Sequence, residues 1–292
     1  MGKNKFKDYL SVFAYKFFKY IVNILPNFLI KLLAKLIAKL AYLLTKKRKK
    51  IALANLKRAL NLDEKSAKQI LKDVYQNLSY NFMEFLQQDK LSQQQLLELI
   101  SFVDTEYLDQ ALAAGKGVII YTAHFGNWEL LGAALTARGY QVNAIARKQN
   151  NSFFDREINQ IRQNSSLKII PKGLAVRQVF KALKKNEIVV ILGDQDARQS
   201  GWKLDFFSRP ASTYSGAVQF ANKTGSPIVP AFLRRLGWLE HQFKFYPAHS
   251  LSNLSEADLK QELQDLLTIS EAEIKDRPAN WMWLHRRWKT FN

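Results

Sequence analysis

Cysteine is absent from the 292 residues, which excludes disulfides, cysteine nucleophiles and thiolate metal sites. Histidine is scarce, so an imidazole base must be one of His124, His241, His249 or His285. No G-x-S-x-G elbow occurs, and a strained-turn serine nucleophile has no seat. No Gly-, Pro- or Ser-rich stretch divides the chain, and a single α/β domain is preferred over two small ones. Acids are nearly missing from one end: residues 1–60 hold fifteen Lys and Arg against one acid, Asp8, and therefore +14 of the total +19. The positive charge is thus a local device. Interleaved with Leu, Ile and Phe, it points to an anionic membrane surface; nucleic acid is the alternative, but no recognised DNA- or RNA-binding motif accompanies it.

What is present at that end is an amphipathic pattern over residues 9–44. Lys31, Lys35 and Lys39, four apart, share one helix face and leave Leu, Ile and Ala to the other. The longest charge-free run here, Tyr20 to Ile30, falls short of the roughly 20 residues a membrane span needs, and Pro26 interrupts it. Helices lying in the interface are favoured over a span. A signal peptide is the competing reading, but no small-residue cleavage site follows and lysines are scattered through the run, so the segment is expected to be retained. Residues 1–50 are therefore read as a membrane-anchoring segment and 51–292 as the α/β domain. The cluster Lys46 to Lys50 would sit among head groups and, by the positive-inside rule, put the domain on the cytoplasmic face.

The chain is organised around Gly117-Val-Ile-Ile-Tyr-Thr-Ala-His124-Phe-Gly-Asn127-Trp-Glu129. A β-branched apolar run stops at a histidine, and small and polar residues then open a helix. Such strand-to-helix junctions carry ligand sites in α/β sheets. On one α-helix His124 and Glu129 would stand about 140° apart, so they meet only if the histidine precedes the helix. Asn127 as N-cap allows this and puts Glu129 in the first turn, where it can accept a hydrogen bond from one ring nitrogen of His124. The spacing alone reads equally as a sheet-capping histidine followed by an ordinary first-turn acid.

Further along, Asp63 is placed to cap a helix over the next residues, and Tyr80, Phe82, Met83 and Phe85 read as core. Tyr140 to Ala146 reads as a strand, Ser152 to Ser165 as a helix containing Arg162, and Gly173 to Asn186 as a basic amphipathic helix. The buried run Glu187 to Leu192 ends in Gly193-Asp194-Gln195-Asp196, acids at the carboxyl end of a central strand. Thr213 is positioned to cap a helix that Gly225 ends. Phe206 and Phe207 suit either a hydrocarbon-pocket wall or a core. The string Trp281 to Trp288 suits an amphipathic boundary at the membrane, or stacking over a phosphorylated sugar.

Taken together, His124-Phe-Gly-Asn-Trp-Glu129, Arg162 after Phe154-Asp155, Gly193-Asp194-Gln195-Asp196, Phe206 to Thr213 and Trp283-Leu-His285-Arg286-Arg287 resemble the late acyltransferases of lipid A biosynthesis, over nearly the whole chain. These belong to a glycerolipid-acyltransferase-like group marked by H-x4-D/E. The resemblance implies a central, mostly parallel sheet flanked by helices. It also implies a site of His124, Glu129, Arg162 and Asp194, with His124 as base, Glu129 as its orienting partner, Arg162 at a phosphate or oxyanion, and Asp194 pairing with Arg162 or arranging substrate. The implied donor is an acyl-acyl carrier protein, and the acceptor is a phosphorylated, Kdo-bearing lipid A precursor. Acyl-coenzyme A and phosphatidylinositol mannosides are the alternative pair, a non-catalytic basic membrane protein is the rival class, and neither cofactor nor metal is expected.

Overall fold

A computed structural model describes residues 2–149, 151–172 and 175–291, with the backbone alone for 2–10 and 175. Four helices come first, α1 (Gly2–Ile24), α2 (Asn27–Leu44), α3 (Lys46–Leu60) and α4 (Glu64–Gln87). Pro26 separates the first two, as its ring requires. Asp63 caps α4 by accepting from the Ser66 amide. A short α5 (Gln93–Glu98) leads into β1 (Ile100–Val103), α6 (Glu106–Ala113), β2 (Val118–Thr122), α7 (Trp128–Ala137) and β3 (Val142–Ala146). Then follow α8 (Ser152–Asn164), β4 (Lys168–Pro171), α9 (Ala175–Lys184) and β5 (Ile188–Leu192). The basic helix expected from Gly173 is this α9; Gly173 and Leu174 lie outside the described residues.

Seven strands form one sheet in the order β1-β9-β8-β2-β5-β3-β4, including β8 (Ile228–Gly237) and β9 (Glu240–Phe245). Only the β8–β9 pair is antiparallel. β2 is buried along its whole length, so its Val-Ile-Ile-Tyr-Thr sequence needs no polar alternation. Val118 to Thr122 run in register with Ile188 to Leu192, which brings the carboxyl ends of β2 and β5 side by side. Everything that follows in the site depends on that adjacency. A separate hairpin of β6 (Trp202–Asp205) and β7 (Pro210–Thr213), then α10 (Gly216–Thr224) and α11 (Glu256–Asp276), close the other side.

Three expectations are corrected, and one open alternative is decided. Phe82 is not core: it is exposed on α4 and stacks on Phe18. Thr213 lies fully buried at the end of β7, and Ser215 holds the N-cap position of α10, although Gly225 does end that helix in a left-handed conformation. Phe206 and Phe207 are core: Phe206 packs against Trp281 and Trp288, and Phe207 against Trp283. The same contacts bury Trp281, Trp283, Trp288 and Arg287, so this string is interior and not a membrane boundary. Three indoles bury more apolar area there than any interfacial position would.

The apolar residues of α2 divide between two faces. Ile30, Ala34 and Ala38 are buried against α4, where the Ala34 carbonyl accepts from the Ser79 hydroxyl. Leu32, Leu36 and Leu40 stay exposed beside Lys31, Lys35 and Lys39, and continue a row that begins with Phe13, Phe17, Tyr20, Ile24 and Phe28.

α4 is fixed to the sheet by a buried ion pair. Arg235, on β8, donates to both oxygens of Glu84 at 2.5 and 2.6 Å, and to Asn77 and Asn81 at 2.7 and 2.6 Å. Burial by itself would raise the Glu84 pKa, but the Arg235 charge and these hydrogen bonds outweigh it and hold it at about 2, against an ordinary 4.5. This contribution to stability is present above pH 4.5 and is lost as pH falls towards 2. Glu84→Ala leaves the Arg235 charge buried and unpaired, and is expected to cost about 3–5 kcal/mol in urea unfolding. Glu84→Leu combined with Arg235→Met should cost less than the single change; equal losses would show that the stranded charge is not the cause.

Candidate active site

β2 ends at Thr122, and the chain turns through Ala123 to Gly126 before α7 begins. Asn127 caps the helix as expected, its side-chain oxygen accepting from the Leu130 amide. Its amide group donates to Glu84 at 2.6 Å, which ties the turn to the buried ion pair. Gly126 has φ of 54°, and a Cβ there would stand 1.8 Å from the Leu233 carbonyl oxygen, so only glycine fits. The carbonyl of Gly126 accepts from Asn81 at 2.5 Å, and its amide donates to the Asn280 carbonyl at 2.9 Å. The turn is held from both sides.

His124 sits outside this cage, half-buried at the tip of β2. Its Nδ1 lies 2.8 Å from Oδ1 of Asp194, at the carboxyl end of the neighbouring strand. A carboxylate only accepts, so Nδ1 carries the proton and Nε2 carries the lone pair, 3.2 Å from the carboxamide nitrogen of Gln195. Asp194 accepts two further bonds on Oδ2, from the His124 amide at 3.0 Å and the Trp281 indole at 2.8 Å. Desolvation would raise the Asp194 pKa, but the His124 ring and these donors outweigh it and hold the carboxyl at about 2. Desolvation likewise opposes protonation of His124, yet the Asp194 charge, its hydrogen bond and the nearby Glu129 raise the ring above its ordinary 6.5. Gly193, just before this aspartate, faces Tyr121: a Cβ would stand 2.3 Å from its hydroxyl.

Glu129 is not the partner of the His124 ring. Arg162, in the last turn of α8, takes both its oxygens, Nε to Oε2 at 3.0 Å and Nη2 to Oε1 at 2.9 Å. A charged planar fork binds a carboxylate more strongly than a neutral imidazole does, so the arginine wins. With its guanidinium taken by Glu129, Arg162 is not paired with Asp194. Trp128 touches both halves of the site: its ring meets His124 edge-on with centroids 5.3 Å apart, and its indole nitrogen donates to Oε1 of Glu129 at 3.2 Å. All four sequence-predicted residues thus gather at one end of the sheet, as two ion pairs joined through Trp128.

Sequence reasoning missed Trp128, Trp281 and Gln195. The segment 280–282 runs antiparallel along the His124 turn, with Met282 donating to the His124 carbonyl at 3.1 Å and Phe125 bridged to Trp281. An indole N–H inside an apolar string needs an acceptor, and that was the available signal for Trp281. His285 takes a structural place, its Nε2 accepting from the Asp196 amide at 3.0 Å, and desolvation lowers its pKa. Among the described residues, no group of three or more His, Asp or Glu is placed to hold a metal ion.

Comparison with known proteins gives this arrangement a lineage. A phosphatidylinositol mannoside acyltransferase from Mycobacterium tuberculosis is 29% identical over 190 residues, which cover 63% of this chain and 58% of the relative. A lipid A biosynthesis lauroyltransferase from Escherichia coli is 25% identical over 257 residues, covering 86% and 82%. A lipid A biosynthesis acyltransferase from Haemophilus influenzae is 23% identical over 196 residues, covering 66% and 60%. The chain therefore spans less than two thirds of the length of the mycobacterial relative but most of the lauroyltransferase. The profile of the bacterial lipid A biosynthesis acyltransferases matches residues 3–290, from the first helix past Trp281 and Arg287, and the chain belongs to that family.

Proposed function

We propose that the chain is a membrane-associated O-acyltransferase that moves a fatty acyl group from an acyl carrier thioester to a hydroxyl of a phosphorylated glycolipid. The observation that carries this reading is the His124–Asp194 pair, with Nδ1 locked on a buried carboxylate and Nε2 left as the basic lone pair. His124 takes the proton of the acceptor hydroxyl as its oxygen attacks the thioester carbonyl. It then returns that proton to the departing sulfur. Asp194 fixes the tautomer and stabilises the imidazolium formed in between. Arg162 neutralises Glu129 beside the base, and its Nη1, not used in that pair, remains to face a phosphate or a carbonyl oxygen.

The acceptor named for the lipid A relatives and the one named for the mycobacterial relatives are both glycolipids. A lipid A precursor served by acyl-acyl carrier protein is the preferred pair. A phosphatidylinositol mannoside served by acyl-coenzyme A is the second reading, favoured by the 29% identity to the mycobacterial enzymes. Purified full chain incubated with each labelled donor and each acceptor separates them. Transfer by wild type, reduced about 10²–10⁴-fold by His124→Ala, is expected; no transfer to any phosphoglycolipid overturns the assignment.

Residues 1–50 anchor the enzyme, with the exposed row from Phe13 to Leu40 immersed in the bilayer surface and the flanking lysines at the phosphates. No helix among the described residues is long and apolar enough to cross a membrane. The excess of cations supports a place on the cytoplasmic face of the inner membrane.

Two outcomes follow. Because the base works as the neutral ring, the rate should rise with pH through a value above 6.5. Asp194→Asn should move this limb to lower pH and lower kcat; an unmoved limb in the pH profile would remove Asp194 from the mechanism. Changing Leu32, Leu36 and Leu40 to Ser should leave the fold intact, since these side chains are exposed. It should weaken co-sedimentation with phosphatidylglycerol vesicles by more than about tenfold, each leucine being worth about 1.5–3 kcal/mol when buried; unchanged sedimentation would place the anchor elsewhere.

A further inference from the structure

The lone pair that the proposed chemistry requires is already occupied. The carboxamide nitrogen of Gln195 lies 3.2 Å from Nε2 of His124. With Nδ1 protonated towards Asp194, Nε2 can only accept, so the Gln195 amide donates to it. An acceptor hydroxyl must be 2.6–3.2 Å or so from the same lone pair to lose its proton there, and therefore has to displace this amide.

The backbone that carries Gln195 is clamped on both sides. Asp194 is bound by His124 and Trp281, while Asp196 accepts from the Thr290 amide at 3.0 Å, the Thr290 hydroxyl at 2.7 Å and the Arg198 amide at 2.7 Å. The side chain can swing about its own torsions, but its origin cannot move away from the base. A displaced amide pivots on a fixed Cα beside the base.

The reaction needs a donor in that place. The amides of His124, Phe125, Gly126 and Asn127 are bonded to Asp194, Ala123, Asn280 and Leu233, so the turn beside the base cannot supply an oxyanion hole from those four groups. Nε and Nη2 of Arg162 are held by Glu129, which leaves that guanidinium only Nη1 to share between a phosphate and the carbonyl oxygen.

We infer that Gln195 is a catalytic residue whose carboxamide covers the base and, once displaced by the acceptor hydroxyl, donates to the thioester carbonyl oxygen as it becomes negative. This rests on the acyltransferase reading above. The acceptor oxygen forms a bond to the carbonyl carbon, its proton passes to Nε2, and the carbonyl π pair moves onto oxygen, where the Gln195 N–H stabilises it. Collapse restores the carbonyl, breaks the carbon–sulfur bond and returns the proton from Nε2 to the thiolate. Ester and thiol are the products.

The test compares wild type, His124→Ala, Gln195→Ala and the isosteric Gln195→Glu in the transfer assay, with thermal melting of each. Both Gln195 variants should melt like wild type and lose about 10²-fold in kcat with KM changed by less than about threefold, since an ionised glutamate keeps the shape but has no donor. A filling role would spare the glutamate variant, and a mere plug would make Gln195→Ala faster; either result overturns the inference. Were wild type active and His124→Ala dead while both Gln195 variants matched wild type, only this inference would fall. Were wild type inactive with every donor, both would fall.

Discussion

Asp194 is the constraint on which the site depends. Its one carboxylate gathers the ring and backbone of His124 from the end of β2 and the indole of Trp281 from the last segment of the chain. A buried charge of this kind is tolerable only when every lone pair has work, and here three donors share two oxygens. The register of β2 with β5 makes the meeting possible, because it sets two strand ends level that are 70 residues apart in the chain. Shifting either strand by one residue would turn the His124 or Asp194 side chain to the opposite face of the sheet.

The second ion pair, Glu129 with Arg162, serves a different purpose. It leaves the His124 ring close to a carboxylate that raises its affinity for a proton, while the guanidinium keeps the neighbourhood from becoming simply acidic. Trp128 divides the two pairs, so that neither carboxylate is free to exchange partners. The buried Glu84–Arg235 pair, reaching Asn127, gives the turn its support from below. Chemistry at the surface of the sheet is thus referred to a rigid interior.

Much of this was legible in the sequence. The β-branched run before His124, the Asn127 cap and the carboxyl-terminal acids after β5 follow from local periodicity and capping rules, and they placed His124, Glu129 and Asp194 at one end of a sheet, whereas Arg162 came from the family resemblance alone. The pairing among them was not legible. Proximity in the chain favoured Glu129 for His124, whereas strand order, which no local pattern encodes, delivered Asp194 to that ring. Composition also misplaced Trp281 to Trp288 at a boundary, because a string of indoles and cations has the same appearance whether it meets lipid or a row of internal acceptors such as Asp194, Phe206 and Ser212. Membrane and core differ in the partners offered, not in the residues that seek them.

The strap formed by residues 280–290 has a consequence for assembly. It supplies Asn280 to Gly126, Trp281 to Asp194 and Thr290 to Asp196, each contact closing a loop of 87 residues or more. None of these contacts can form before residues 280–290 have been synthesised, whereas His124, Asp194 and the helices that precede them are made earlier. A nascent chain would therefore expose the apolar row of α1 and α2 well before the Asp194 carboxylate gains its indole donor, and the His124 turn acquires its full set of partners only once the strap is in place.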